Sequence, residues 1–139
     1  MSRPPELSLP RLKVVAGILA DDAGRVLITD RRGASSMQTC WEFPGGKIRD
    51  GESAADALKR ELDEELGVTV QAQRHLMQLE HDYAEFGVHI DFFTVTAWQG
   101  TPHSREGQNL RWVAPQELSD AALLPADRPV IDKLCETPA

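Results

Sequence analysis

One segment limits what this chain can become more than any other: residues 53–66, a helix that has to bury one side and present carboxylates beside it. At about 100° per residue, Ala55, Leu58, Leu62 and Leu66 fall on one apolar stripe, and Glu61, Glu64 and Glu65 form the adjoining edge. Both ends are punctuated. Ser53 suits the N-cap, with Asp56 three residues on in a shortened capping box, and Gly67 suits the left-handed position that follows a helix C-terminus. One face of this helix packs, and the other faces a site.

The surface that covers the stripe is read from period-two patterning. Residues 12–20 and 25–30 are β-rich, and Asp21, Asp22, Ala23 and Gly24 between them look like the turn of a hairpin. Further strand-like stretches occupy residues 76–83 and 88–98. In the latter, Val88, Ile90 and Phe92 share one face while Phe93, Val95 and Ala97 share the other, so both faces are expected to be partly buried. Residues 110–113 read as a last short strand, and 126–136, with Val130, Ile131 and Leu134, as a closing helix. The fold class is α/β with mixed elements and no internal repeats.

A chain of 139 residues is the size of one compact domain, expected to span residues 11–139 after a loose leader, 1–10, that carries Pro4, Pro5 and Pro10. Hydrophobic residues at 41% and charged residues at 27% are ordinary globular usage, which argues against disorder or a fibre. The longest apolar stretch, about residues 14–20, falls far short of a membrane span, and no basic start precedes a secretory apolar region. A cytoplasmic protein without a membrane partner is expected. Cys40 and Cys135 lack a paired metal-type spacing, which favours reduced thiols. The net charge of -7 and the pI near 5.0 argue against a nucleic-acid polymer as partner. They leave room for a phosphorylated small molecule, because divalent cations held by clustered carboxylates reverse the local field.

Such a cluster is written into the helix. Glu61 meets Glu65 at i, i+4 and Glu64 at i, i+3, which brings like charges together. Hard oxygen ligands at this density suit Mg²⁺ or Mn²⁺, ions that also bridge substrate phosphates. Taken alone, two glutamates on a helix are a solvated acidic face, with Arg60 as a surface ion-pair partner. The wider spacing favours a metal site: Gly46, five residues, Glu52, seven residues, then Arg60, Glu61, Leu62, Asp63, Glu64, Glu65, Leu66, Gly67 and Val68.

This pattern resembles the complete Nudix box, with Gly46, Glu52 and Gly67 as its structural positions. Just upstream, Trp41, Glu42, Phe43, Pro44, Gly45, Gly46 and Lys47 resemble the loop that enters the box in MutT-type Nudix enzymes. The resemblance implies that the Gly45 carbonyl joins Glu61, Glu64 and Glu65 around metal, although the two glycines also suit a tight turn. Glu106, Gly107 and Gln108, followed by Leu110, Arg111, Trp112 and Val113, resemble the family's later loop, where Glu106 would be a further ligand or base. His75, His81, His89 and His103 show no metal-like pairing.

The resemblance runs from about residue 14 to residue 134 and implies a mixed sheet flanked by helices. It implies water attack at phosphorus in a nucleoside triphosphate, releasing the monophosphate and pyrophosphate, with Arg60, Glu61 and Glu106 as catalytic residues. Glu61 is the first choice for general base and Glu106 the runner-up. Arg31, Phe43 and Asp127 are the expected substrate contacts, Phe43 in the base pocket. The MutT-type match points to sanitation of the nucleotide pool, with 8-oxo-dGTP as substrate. Asp127, where guanine-directed relatives have an asparagine, keeps a cytidine or modified-pyrimidine triphosphate as the alternative. Hydrolysis of ADP-ribose or a dinucleoside polyphosphate ranks third, and a non-catalytic nucleotide-binding Nudix module is the alternative of another class.

Overall fold

The computed structural model describes residues 11–30, 41–82, 86–120, 129, 130 and 133. Strand β1 (Arg11–Leu19) and strand β6 (Gly87–Gln99) run parallel in register from Arg11 opposite Gly87 to Leu19 opposite Val95. Their near-continuous apolar runs follow from being covered on both sides. Ala16, Ile18, Val88, Ile90 and Phe92 point into one core cluster, while Val15, Leu19, Phe93 and Val95 point into a second. The two-sided burial expected for residues 88–98 is thus observed, with Ala97 only partly buried.

Strand β5 (Thr69–Asp82) lies antiparallel to β6 at one edge, and β4 (Gly45–Lys47) lies antiparallel to β1 at the other, giving a mixed sheet in the order β4-β1-β6-β5. A second, antiparallel sheet has the order β3-β2-β7, from Trp41–Glu42, Val26–Asp30 and Leu110–Val113. The expected hairpin therefore exists only at its tip. Asp21 accepts the N–H groups of Ala23 and Arg25 and the Arg25 guanidinium, and Gly24 supplies φ 80°, yet the arms meet only at the Ala20–Val26 bridge and enter different sheets. Strand β5 begins seven residues before the stretch read from sequence. Its first half alternates weakly because several side chains there are polar and exposed, and its register with β6 breaks between Val70 and Ala72, Ala72 and Gln73, and His75 and Met77.

Helix α1 (Ala54–Leu66) starts and stops where the sequence places it. The Ser53 hydroxyl accepts the Asp56 N–H at 3.1 Å, and Gly67 takes φ 71° as it donates to the Asp63 carbonyl. Its fully buried residues are Ala57, Leu58, Leu62 and Leu66, so Ala57 replaces Ala55 at the centre of the stripe. They seal the second cluster against Val15, Leu19, Val68 and Val70. A 3-10 turn (Pro115–Asp120) buries Leu118 against the first cluster together with Val130. Pro129, Val130 and Lys133 are helical, in keeping with the closing helix; its other residues, the leader 1–10, Cys40 and Cys135 lie outside the described residues. Among the described residues no helix is long and apolar enough to cross a membrane.

Candidate active site

Arg60 organises the edge of α1. Its Nε and Nη2 fork onto the two Glu52 carboxylate oxygens at 2.8 and 2.9 Å, Nη1 reaches Glu61 Oε1 at 2.8 Å, and Nη2 also donates to the Lys47 carbonyl at 3.0 Å. A planar five-donor fork matches this set, whereas a lysine would supply one point charge. Arg60 is thus a largely covered strut, 18% exposed in its side chain, and not the surface ion-pair partner of the simpler reading. Its hydrogen bond, followed by the Arg49 N–H, holds the Glu52 carboxyl down at about 2. Glu52 and Glu61 in turn strengthen the Arg60 cation, so the link stays charged at any working pH.

The carboxylate edge is less exposed than the helical periodicity suggests. Glu64 faces solvent, but Glu61 and Glu65 are partly buried. Burial lifts the Glu61 carboxyl above its ordinary range against the pull of Arg60, with Glu64 and Glu106 adding repulsion. The Glu65 carboxyl is pushed up to about 8, first by burial and then by the Glu42 and Glu106 charges, while the Gly45 N–H at 3.2 Å pulls the other way. Glu65 thus feels the charges of Glu42, Glu106 and Glu61, and Glu61 feels those of Glu64 and Glu106. Glu42 had no role in the sequence reading; its place in the short strand β3, next to the buried Phe43, brings it there.

Gly45 and Gly46 are strand residues of β4, neither of them at positive φ, so the tight-turn reading gives way to one of close approach. A Cβ on Gly45 would run into the Val15 carbonyl oxygen, and one on Gly46 would occupy the Glu61 carboxyl group. The two should fail differently. Gly45→Ala is expected to cost about 2 kcal/mol or more by forcing β4 off β1, measured as a lower urea or thermal midpoint. Gly46→Ala is expected to keep most of the stability and lose turnover, because Glu61 must swing away; equal effects of both changes on both measurements would contradict this division.

Glu106 is carried by the loop that closes over the C-terminus of α1. The Leu66 carbonyl accepts the His103 N–H at 3.0 Å, the Glu65 carbonyl accepts the Arg105 N–H at 3.2 Å, and the Asp63 carbonyl accepts Arg105 Nη1 at 3.1 Å. The Glu65 and Leu66 carbonyls, which end the helix, are thereby satisfied, and the Asp63 carbonyl gains a second donor beside the Gly67 N–H. At the loop's far end, Asp30 accepts both the backbone N–H and the side-chain amide of Asn109, at 2.8 and 2.7 Å. Sequence reasoning missed this framework, because its partners are up to 79 residues apart.

Phe43, expected in a base pocket, is 3% exposed and packs edge-on against Phe92 in the first core cluster, 6.3 Å between centroids. Its ring is a core element here. Arg31 and Asp127 lie outside the described residues.

Among the described residues no three His, Cys, Asp or Glu side chains already stand together as metal ligands; Glu61 turns to Arg60 and Glu65 to the Gly45 amide. The donor chemistry nevertheless fits a hard divalent cation. Glu61 and Glu65 offer partly buried carboxylate oxygens, Glu64 and Glu106 bring further negative charge near them, and that repulsion calls for a counter-charge.

Residues 14–133 match the family model described as NUDIX domain. The 8-oxo-dGTP diphosphatase of Escherichia coli K12 is 35% identical over 126 residues, covering 91% of this chain and 98% of that protein. The CTP pyrophosphohydrolase of the same organism is 34% identical over 121 residues, covering 87% and 90%. A structure from work on MutT of Aliivibrio salmonicida and Vibrio cholerae superposes with a TM-score of 0.77 at 37% identity, covering 91% of this chain and 97% of that one.

Proposed function

This chain belongs to the NUDIX domain family and is a Nudix hydrolase, and from that premise we propose that it cleaves nucleoside triphosphates to monophosphate and pyrophosphate, 8-oxo-dGTP foremost, using Mg²⁺. The observation that carries the proposal is the placement of Glu61, Glu64 and Glu65 along one edge of α1, with the Arg60 fork holding Glu61 and the Gly45 N–H on Glu65. Mn²⁺ is an acceptable substitute, since it shares the preference for carboxylate oxygen. The working unit is the single domain of residues 11–139, acting in the cytoplasm on a small nucleotide, with no nucleic-acid polymer or membrane as partner.

Glu61, Glu64, Glu65, Glu106 and the Gly45 carbonyl are the groups that would hold the cation, which supplies charge stabilisation for the phosphoryl oxygens. Glu61 takes the proton of the attacking water. Arg60 fixes its orientation through the 2.8 Å contact to Oε1, which leaves the other carboxylate oxygen for the water. Glu106 is the second choice for this role. Arg31 is assigned to the phosphates, and Asp127 to the base. A planar base has apolar support available on the sheet face away from α1, where Leu12, Val14, Leu79 and Phe86 remain only partly buried around the first core cluster.

A panel of 8-oxo-dGTP, dGTP and CTP with purified protein and magnesium tests the proposal. Monophosphate plus pyrophosphate is the expected product pair; tight binding of every triphosphate without turnover would make the chain a binding module. The CTP reading survives beside the first because of Asp127. An ionised aspartate only accepts hydrogen bonds, which suits the cytosine amino group, whereas asparagine can also donate to the guanine O6. Asp127→Asn is therefore expected to shift relative kcat/KM toward 8-oxo-dGTP by roughly 5- to 150-fold, the worth of one hydrogen bond of ~1 to 3 kcal/mol. An unchanged ratio among the three nucleotides would remove Asp127 from the base site.

A further inference from the structure

We propose that Gln108 is a positioning residue that sets Glu106 against Glu61 and Glu65 by stapling the Glu106 loop to the last turn of α1. Gln108 is 7% exposed, one of only two buried polar residues among those described, and both the oxygen and the nitrogen of its amide are engaged. Its Oε1 accepts the Ser104 hydroxyl at 2.8 Å and the Glu106 N–H at 3.1 Å, and its Nε2 donates to the Glu65 carbonyl at 3.1 Å. The orientation of the amide is forced, because a backbone N–H can only donate and a carbonyl can only accept. Gly107, at φ 81°, turns the chain so that the Gln108 side chain folds back onto the backbone of the residue two positions earlier.

One side chain thus joins the backbone of two acidic residues 41 positions apart in the sequence. The backbone of Glu65 and that of Glu106 are each one hydrogen bond from Gln108, so loop and helix cannot shift independently while the amide is intact. A residue in this place touches neither substrate nor reacting atoms; it acts through Glu106. Losing it would orphan a backbone N–H and loosen the loop while leaving the Arg60 network and the core clusters untouched.

The inference rests on the proposed hydrolase chemistry for its kinetic arm and on the fold alone for its exchange arm. Gln108→Met keeps the volume and removes every hydrogen bond. Its kcat is expected to fall about 10-fold with KM within about 2-fold, and in a Glu106→Gln background the same change should lower kcat less than about 2-fold. Amide hydrogen exchange in metal-free protein should rise about 10-fold or more at Arg105 and Glu106 and stay unchanged at Ala57 and Leu62. Ser104→Ala, at an exposed position, should move the same amides in the same direction by less, and it replaces Gln108→Met if that variant does not fold. An equal loss in the two backgrounds, or unaltered exchange at Glu106, would overturn the proposal. If the wild-type protein turns over no triphosphate, the proposed function falls, and the exchange arm still decides whether Gln108 sets Glu106.

Discussion

Glu61→Gln is expected to lower turnover by about 10²-fold or more in magnesium, the usual worth of a positioned general base, while thermal unfolding stays close to wild type. The two halves of that expectation have separate causes. Turnover falls because an amide cannot take a proton from water and is a poorer cation ligand than a carboxylate. Stability holds because the Gln Oε1 can still accept Arg60 Nη1, and the Arg60 fork keeps both contacts to Glu52 and its bond to the Lys47 carbonyl. Steady-state rates within a few-fold of wild type in well-folded Glu61→Gln would remove Glu61 from the base role. Glu106→Gln would then be the informative variant.

Removal of divalent cations with excess chelator should abolish hydrolysis, and readdition of magnesium or manganese should restore it. Recovery with zinc alone would mean that the ligand chemistry has been misread. The same experiment has a thermodynamic face at Glu65, whose carboxyl is raised to about 8 from an ordinary 4.5. Between those values the folded protein binds more protons there than the unfolded chain, so this group's contribution to stability falls as pH rises through the window. In chelator the expected slope is up to about 1.4 kcal/mol per pH unit from this residue. A divalent cation binds the ionised form, so it should stabilise the protein more at pH 8 than at pH 5. Glu65→Gln should remove this component of the slope and gain less from the cation. Urea unfolding at pH 5, 6.5 and 8, with and without magnesium, measures all of this; an identical pH profile for wild type and Glu65→Gln would mean that Glu65 does not carry the stored repulsion.

Helix α1 was legible in the sequence because everything that makes it is local. Its period, its Ser53 cap and its Gly67 stop lie within residues 53–67, and no distant partner is needed to set them. The β6 alternation was legible for the same reason: a strand repeats every two residues, so Val88, Ile90 and Phe92 separate from Phe93 and Val95 wherever the strand goes. The spacing from Gly46 to Glu65 likewise named the family and most of the acidic set, since it lies in one continuous stretch.

The local pattern misled where burial depends on neighbours. Periodicity put Glu65 on an exposed edge, and only the approach of β4, with Gly45 against Glu65 and Gly46 under Glu61, covers that edge. Resemblance placed Phe43 in a base pocket, whereas in the fold its ring packs edge-on against Phe92, nearly fifty residues away. The residues of a chain determine by themselves which segments can be helix or strand and which chemistry they carry, because backbone preference and side-chain period act over one or two turns. The tertiary structure alone decided that the hairpin arms part into two sheets, that the charge of Glu42 comes near Glu65, and that Gln108 fastens the Glu106 loop to the helix. Those outcomes depend on contacts between segments far apart in sequence, whose loop-closure entropy is offset only when the whole core forms at once.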